Sequence, residues 1–195
     1  MTVAIVRYNA GNILSVINAV KRLGVEPVLT DDAATLRRAD RVIFPGQGEA
    51  RSAMRYLRER GLDAVLRSLT QPVLGICIGL QLLCRHTEEN DTEGLGVFAE
   101  RVRRFPATGK VPHVGWNTLD GTTGPLFDGL PETPYVYYLH SYYAETGPDT
   151  LATTEYLVPF SAALHRDNFF AVQFHPEKSG PVGETILRNF LNLFR

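Results

Sequence analysis

From Val3 to Ile76, short β-branched runs alternate with stretches of helical periodicity, and this alternation restricts the chain to a sheet covered by helices. Val3 to Val6 reads as a first strand. After the turn-like Asn9-Ala10-Gly11-Asn12, apolar residues Ile13, Val16, Ile17, Val20 and Leu23 recur at helical spacing, and Gly24 ends the helix. Val25 to Leu29 is expected as a second strand, and Arg41 to Phe44 as a third running into Pro45-Gly46-Gln47-Gly48. Ala53, Leu57, Leu62, Val65, Leu66 and Leu69 suggest helical cover. Pro72 to Ile76 is apolar enough for a buried, central strand.

The second half is richer in aromatic runs, Tyr135 to Leu139 and Phe169 to Phe174, separated by Gly, Pro, Asp and Thr turns, and several of its strands are expected to be antiparallel. A last helix from about Val182 to Phe194 carries Ile186, Leu187, Phe190 and Leu191 on one stripe. The expectation is one α/β domain over residues 1–195, with a central mixed, mostly parallel sheet flanked by helices. At 195 residues the chain suits a single core.

Charge excludes some functions. Twenty Lys and Arg balance 21 Asp and Glu, so no net field would hold a nucleic acid or an anionic membrane. No segment offers the ~18 consecutive apolar residues of a membrane span. Cys77 and Cys84 are too few for a disulfide framework and lack a zinc-ligand spacing. These features lead to the expectation of a soluble, cytoplasmic protein with reduced thiols.

Gly75-Ile76-Cys77-Ile78-Gly79 has the spacing of a nucleophile elbow with cysteine in place of serine. An apolar strand precedes Cys77 and a helical pattern follows, placing the thiol near a helix N-terminus, with the Ile78 amide available to a developing oxyanion. The alternative is a buried cysteine packing as a small hydrophobe. Cys84, seven residues on, has no such framing and is expected in the core of the following helix. Phe174-His175-Pro176-Glu177 can aim an imidazole and a carboxylate to one side of an extended segment, as a base and its orienter require, although a solvated strand-end turn would have the same sequence. Of the other histidines, His86 and His165 have polar or charged surroundings and look like surface residues, while His113 and His140 lie in the motif-like segments described below.

Together, Gly75 to Gln81 and Phe174 to Glu177 resemble the signatures of class I, or triad, glutamine amidotransferases, and Pro45 to Gly48 resembles the glycine-rich oxyanion loop of that family. The resemblance covers essentially the whole chain. Gly11 to Val16, Pro112-His113-Val114-Gly115-Trp116-Asn117 and Lys178-Ser179-Gly180 narrow it to glutaminase subunits of imidazole glycerol phosphate synthases. It implies hydrolysis of L-glutamine to glutamate and ammonia, with ammonia passing to a separate (β/α)8-barrel synthase subunit in a heterodimer and with no metal or organic cofactor in this subunit. Cys77 would be the nucleophile, His175 the base and Glu177 its orienter. Backbone N–H groups at Gln47 or Gly48 and at Ile78 would form the oxyanion hole.

The same resemblance assigns Gly46, Gln81, Glu89, Ser141 and Tyr142 to substrate binding, and Asn12, Trp116, Tyr137 and Lys178 to the partner face and ammonia passage. Trp116 and Tyr137 could instead be core aromatics. Two departures stand out: Arg7-Tyr8-Asn9 replaces the frequent Asp-Tyr-Gly, and Gln47 replaces a frequent valine beside the oxyanion donors. The alternatives are a glutaminase serving anthranilate, aminodeoxychorismate or GMP synthesis, a non-catalytic partner-binding module of the same fold, and a free-standing cysteine hydrolase. Pro112 to Asn117 weighs against the first, and the intact Cys77, His175 and Glu177 against the second. No added substrate domain supports the third.

Overall fold

A computed structural model describes residues 1–9 and 11–193; Ala10 of the first turn and Phe194 of the last helix lie outside the described residues. The first half alternates as β1 (Val3–Val6), α1 (Ile13–Arg22), β2 (Val28–Thr30), α2 (Ala33–Arg38), β3 (Arg41–Phe44), α3 (Ala50–Glu59), α4 (Leu62–Arg67), β4 (Val73–Ile76) and α5 (Ile78–Leu83). The second half adds β5 (Cys84–Thr87), β6 (Thr92–Glu93), β7 (Phe98–Arg104), β8 (His113–Thr118), β9 (Tyr135–His140) and β10 (Tyr142–Ala144). It closes with β11 (Thr150–Tyr156), β12 (Val158–Arg166), β13 (Phe169–Val172) and α6 (Gly180–Asn192).

Among the described residues the main sheet runs β2-β1-β3-β4-β13-β12-β10-β7-β5-β6, with β11 on β12, and β8 and β9 form a separate hairpin. Pairing is parallel across β2-β1-β3-β4-β13, the part that carries the site, and chiefly antiparallel beyond it. Side chains of the parallel strands alternate between two cores. Ala4, Val6, Val42, Phe44, Val73 and Ala171 face the side covered by α2 to α5. Val3, Ile5, Ile43, Leu74, Ile76 and Val172 face α1 and α6. A strand buried on both faces needs apolar residues at both parities, which is why these runs are uninterrupted in the sequence.

Four local expectations change. β2 begins at Val28 rather than Val25, because Pro27 has no N–H to donate to a ladder. Helix α2 was not anticipated; six residues are too few to show a period, but Asp32 caps it by accepting the Thr35 N–H at 2.7 Å. Cys84 opens β5 instead of lying on the helix after Cys77, since α5 stops at Leu83. Helix α6 starts at Gly180, two residues earlier than expected, with Pro181 in the first turn, where its missing N–H costs nothing.

Candidate active site

Cys77 sits at the carboxyl end of β4 with φ 52° and ψ −105°, a conformation that L side chains rarely adopt. The glycines around it permit the turn. A Cβ on Gly79 would collide with the Phe44 carbonyl oxygen, and one on Gly75 would lie 2.7 Å from Leu83 Cδ1. Strand, elbow and helix can therefore approach only without those side chains. The Cys77 N–H donates to Val172 O at 2.8 Å, tying the elbow to β13.

His175 stands just beyond β13. Its extended backbone (φ −101°, ψ 94°) is the geometry favoured before a proline, and Pro176–Lys178 then forms a single 3-10 turn. The His175 N–H donates to Tyr137 O at 2.8 Å, and its carbonyl accepts the Ser179 hydroxyl at 2.7 Å. His175 Nδ1 and Glu177 Oε1 are 2.8 Å apart, with both side chains only 2% exposed. A carboxylate at Nδ1 holds the proton there and leaves Nε2 as the basic nitrogen. Nε2 is buried without a hydrogen-bond partner of its own. Burial disfavours the imidazolium, but the Cys77 sulfur and then Glu177 outweigh it and raise the His175 pKa to about 10.

Cys77 opens into a cavity of about 290 Å³. Gln47, Gly48, Ile78, Gln81, Glu89, Ser141 and Tyr142 line it together with Cys77. The structure thus gathers around one cavity all the residues assigned to the oxyanion hole and all those assigned to substrate except Gly46. Gly46 is buried beneath, between Tyr8 and Ile78, beside a small hollow that His175, Glu177 and Asn12 also line. Glu89 Oε2 accepts the Ala50 N–H at 2.8 Å, while burial raises the pKa of its carboxyl.

The two departures from the family pattern have different consequences. Arg7 turns away to pair with Asp31 at 2.6 Å and does not enter the cavity. The Gln47 carbonyl accepts the Gly11 N–H at 2.6 Å, which directs the trans-linked Gly48 N–H to the opposite side. The Gln47 side-chain nitrogen is buried without a partner.

Three of the four residues assigned to a partner face cluster on the hairpin and the turn after the carboxylate. Trp116 pairs with Tyr137 across β8 and β9, with rings 6.0 Å apart, and Lys178 Nζ lies 5.8 Å from the Tyr137 ring centre. Trp116 is 55% exposed and Tyr137 half-buried, so neither is a core aromatic. Asn12 lies across the hollow behind the triad, in the left-handed region, with its Oδ1 accepting Ser15 Oγ at 2.6 Å.

Two buried polar features were not anticipated. Gln173 donates from Nε2 to Cys77 Sγ at 3.6 Å, and its Oε1 accepts Gln81 Nε2 at 3.1 Å. A lone polar residue within Phe169 to Phe174 was the available signal. The other is a histidine pair, His113 Nδ1 and His140 Nε2, 3.0 Å apart under the cavity wall. His140 Nδ1 must donate to Tyr142 O at 2.8 Å, so its Nε2 accepts from His113. Burial lowers the two pKa values to about 4 for His113 and about 3 for His140, which keeps both rings neutral and fixes this arrangement.

A thiol at a strained elbow, a buried imidazole–carboxylate pair and backbone amides around a small cavity are the apparatus of amide hydrolysis by a cysteine nucleophile. Residues 6–193 match the class-I glutamine amidotransferase family, to which the chain belongs. Within that family it is 55% identical to the HisH subunit of imidazole glycerol phosphate synthase from Bacteroides thetaiotaomicron, over 99% of this chain and 100% of that one. It is 44% identical to the HisH subunit from Yersinia pseudotuberculosis, again over 99% and 100%. A putative GMP synthase protein from Thermoplasma acidophilum superposes with a TM-score of 0.77 at 21% identity, covering 98% of this chain and 92% of that one, a likeness of fold alone.

Proposed function

We propose that the chain is the glutaminase subunit of an imidazole glycerol phosphate synthase, a single glutamine amidotransferase domain over residues 1–195. The observation that carries this reading is the convergence of Cys77, at its strained elbow, with the buried His175–Glu177 pair beside the cavity. Full-length identity to HisH subunits supports the pathway.

In this reading Cys77 gives its proton to His175 Nε2 and attacks the side-chain amide carbon of L-glutamine. The tetrahedral oxyanion takes hydrogen bonds from the amides of Ile78 and of Gln47 or Gly48. His175 then delivers its proton to the departing nitrogen, the C–N bond breaks to release ammonia, and the acyl group stays on Cys77 as a thioester. Water, deprotonated by His175, cleaves the thioester to release glutamate, and the proton returns to the sulfur. Glu177 keeps the imidazole in the required tautomer throughout. Gln81, Glu89 and the main chain at Ser141 and Tyr142 hold the substrate. No metal or organic cofactor enters these steps.

Ammonia passes to a (β/α)8-barrel synthase subunit docked on the hairpin and the α1 end. Val114, Trp116 and Tyr135 on the hairpin and Leu14 on α1 are all exposed apolar residues there, as expected of a surface that a partner covers. Two unpaired cysteines suit the cytoplasm, and no described helix is long and apolar enough to cross a membrane. The test is glutamine hydrolysis by the chain alone, with the synthase subunit, and with that subunit carrying its ribonucleotide ligand. Turnover should be slow alone and rise strongly with the loaded partner; unchanged turnover would refute the pathway assignment.

A further inference from the structure

We propose that Gln173 is the side-chain donor that holds the Cys77 sulfur as a thiolate, and that its amide is oriented for this task by Gln81. The inference rests on the reading of Cys77 as nucleophile and adds to it a residue outside the triad and the oxyanion loop.

Among the described residues, two groups besides His175 hydrogen-bond with the sulfur, and they favour opposite protonation states. The Leu139 carbonyl, 3.8 Å away, can only accept, so it is matched by an S–H and repels a thiolate. Gln173 Nε2, at 3.6 Å, donates, so it is matched by the anion. As the proton moves from Cys77 to His175 Nε2, the sulfur exchanges a contact to Leu139 for one from Gln173. Without Gln173, the hydrogen-bond contact left to the sulfur among the described residues, besides His175, would be the carbonyl that opposes ionisation.

The orientation of the Gln173 amide follows from its surroundings. Gln81 Nε2 donates to Tyr142 O at 2.9 Å and to Gln173 Oε1 at 3.1 Å. A flipped Gln173 amide would place NH2 against NH2 and its oxygen against the sulfur, losing both contacts. The Gln81 amide is fixed in turn, because the Tyr142 carbonyl cannot donate. Gln173 is fully buried, so no water competes for the sulfur from that side. Gln81 and Tyr142 also line the cavity, so substrate entering it meets the same hydrogen-bonded chain that ends on the nucleophile.

The test follows thiolate formation directly. The rate at which iodoacetamide alkylates Cys77, located by peptide mass spectrometry, is measured against pH for the parent chain and for Gln173→Met, which keeps length and loses the donor. The expected result is a profile displaced upward by about one pH unit or more, with alkylation near neutral pH slowed about 10- to 100-fold. A profile that coincides with the parent's would overturn the proposal, and so would a variant that loses glutaminase activity with the profile unmoved, because that is a merely structural role. A measurement without substitution covers a variant that does not fold. In the parent chain, the Gln173 side-chain amide resonances should shift with pH as Cys77 ionises, and the shift should vanish in Cys77→Ala. Resonances that ignore the ionisation would overturn the proposal equally. If Cys77→Ala retains glutamine turnover, it is the nucleophile assignment that fails; if that variant is inactive and the Gln173 signals stay still, only this inference fails.

Discussion

Cys77 and Cys84 lie seven residues apart in one apolar stretch and have opposite surroundings. Cys77 is on a left-handed elbow beside an imidazole, a side-chain amide and a cavity. Cys84 begins a regular strand, fully buried, where burial and then the Glu100 and Asp149 carboxylates push its thiol well above the ordinary range. A thiol acquires reactivity from donors and positive charge near it, and apolar burial removes it. The contrast is not encoded at the cysteines. It comes from the glycines at 75 and 79, which let the chain turn at Cys77, and from β13, which delivers His175 and Gln173 to one site and not the other.

The largest expected effect breaks that contrast at its reactive end. Cys77→Ala should lower glutamine turnover by about 10⁴- to 10⁶-fold in a glutaminase assay with the chain still folded, because the acceptor of the acyl group is gone. Glu177→Gln should lower kcat by about 10²- to 10⁴-fold, since the amide no longer fixes the His175 tautomer. Circular dichroism should show an unchanged fold. At the inert end, Cys84→Ala should leave turnover near the parent value and reduce stability by about 1–2 kcal/mol in urea unfolding, the cost of a small cavity.

The smallest effect concerns the helix beyond the oxyanion loop. Partial burial of Glu49 favours its neutral form, but hydrogen bonds from Asn90, Ser52 and Arg51 outweigh it and bring the pKa down to about 2. A folded pKa below the unfolded value near 4.3 means that the stabilisation is present above about pH 4.3 and is lost as pH falls toward 2. Glu49→Ala should therefore cost about 1 kcal/mol at pH 7 and flatten the fall of stability across that acid window.

Much of the parallel half was legible in the sequence because strands buried on both faces are continuous apolar runs; β3 has the expected bounds, and β4 differs only at Pro72. β12 was not, because its buried centre, Ser161-Ala162-Ala163, has little strand propensity and is ordered by neighbours on both sides. The site divides similarly. Cys77, His175 and Glu177 stand in short fixed spacings that chemistry demands, so they could be picked out locally. The cavity wall at Ser141 and Tyr142 entered only through family resemblance, and the contacts of Gln173 and of the His113–His140 pair join residues 27 to 96 positions apart. Such contacts leave no local period or spacing to find.

The most direct measurement is peptide mass spectrometry after treating the folded chain with a diazoketone analogue of glutamine, in the presence and absence of L-glutamine. The account predicts one adduct per chain, on Cys77, suppressed by glutamine, with Cys84 unmodified until the protein is unfolded. Labelling of Cys84 in the folded chain, or labelling of Cys77 that glutamine does not slow, would contradict it.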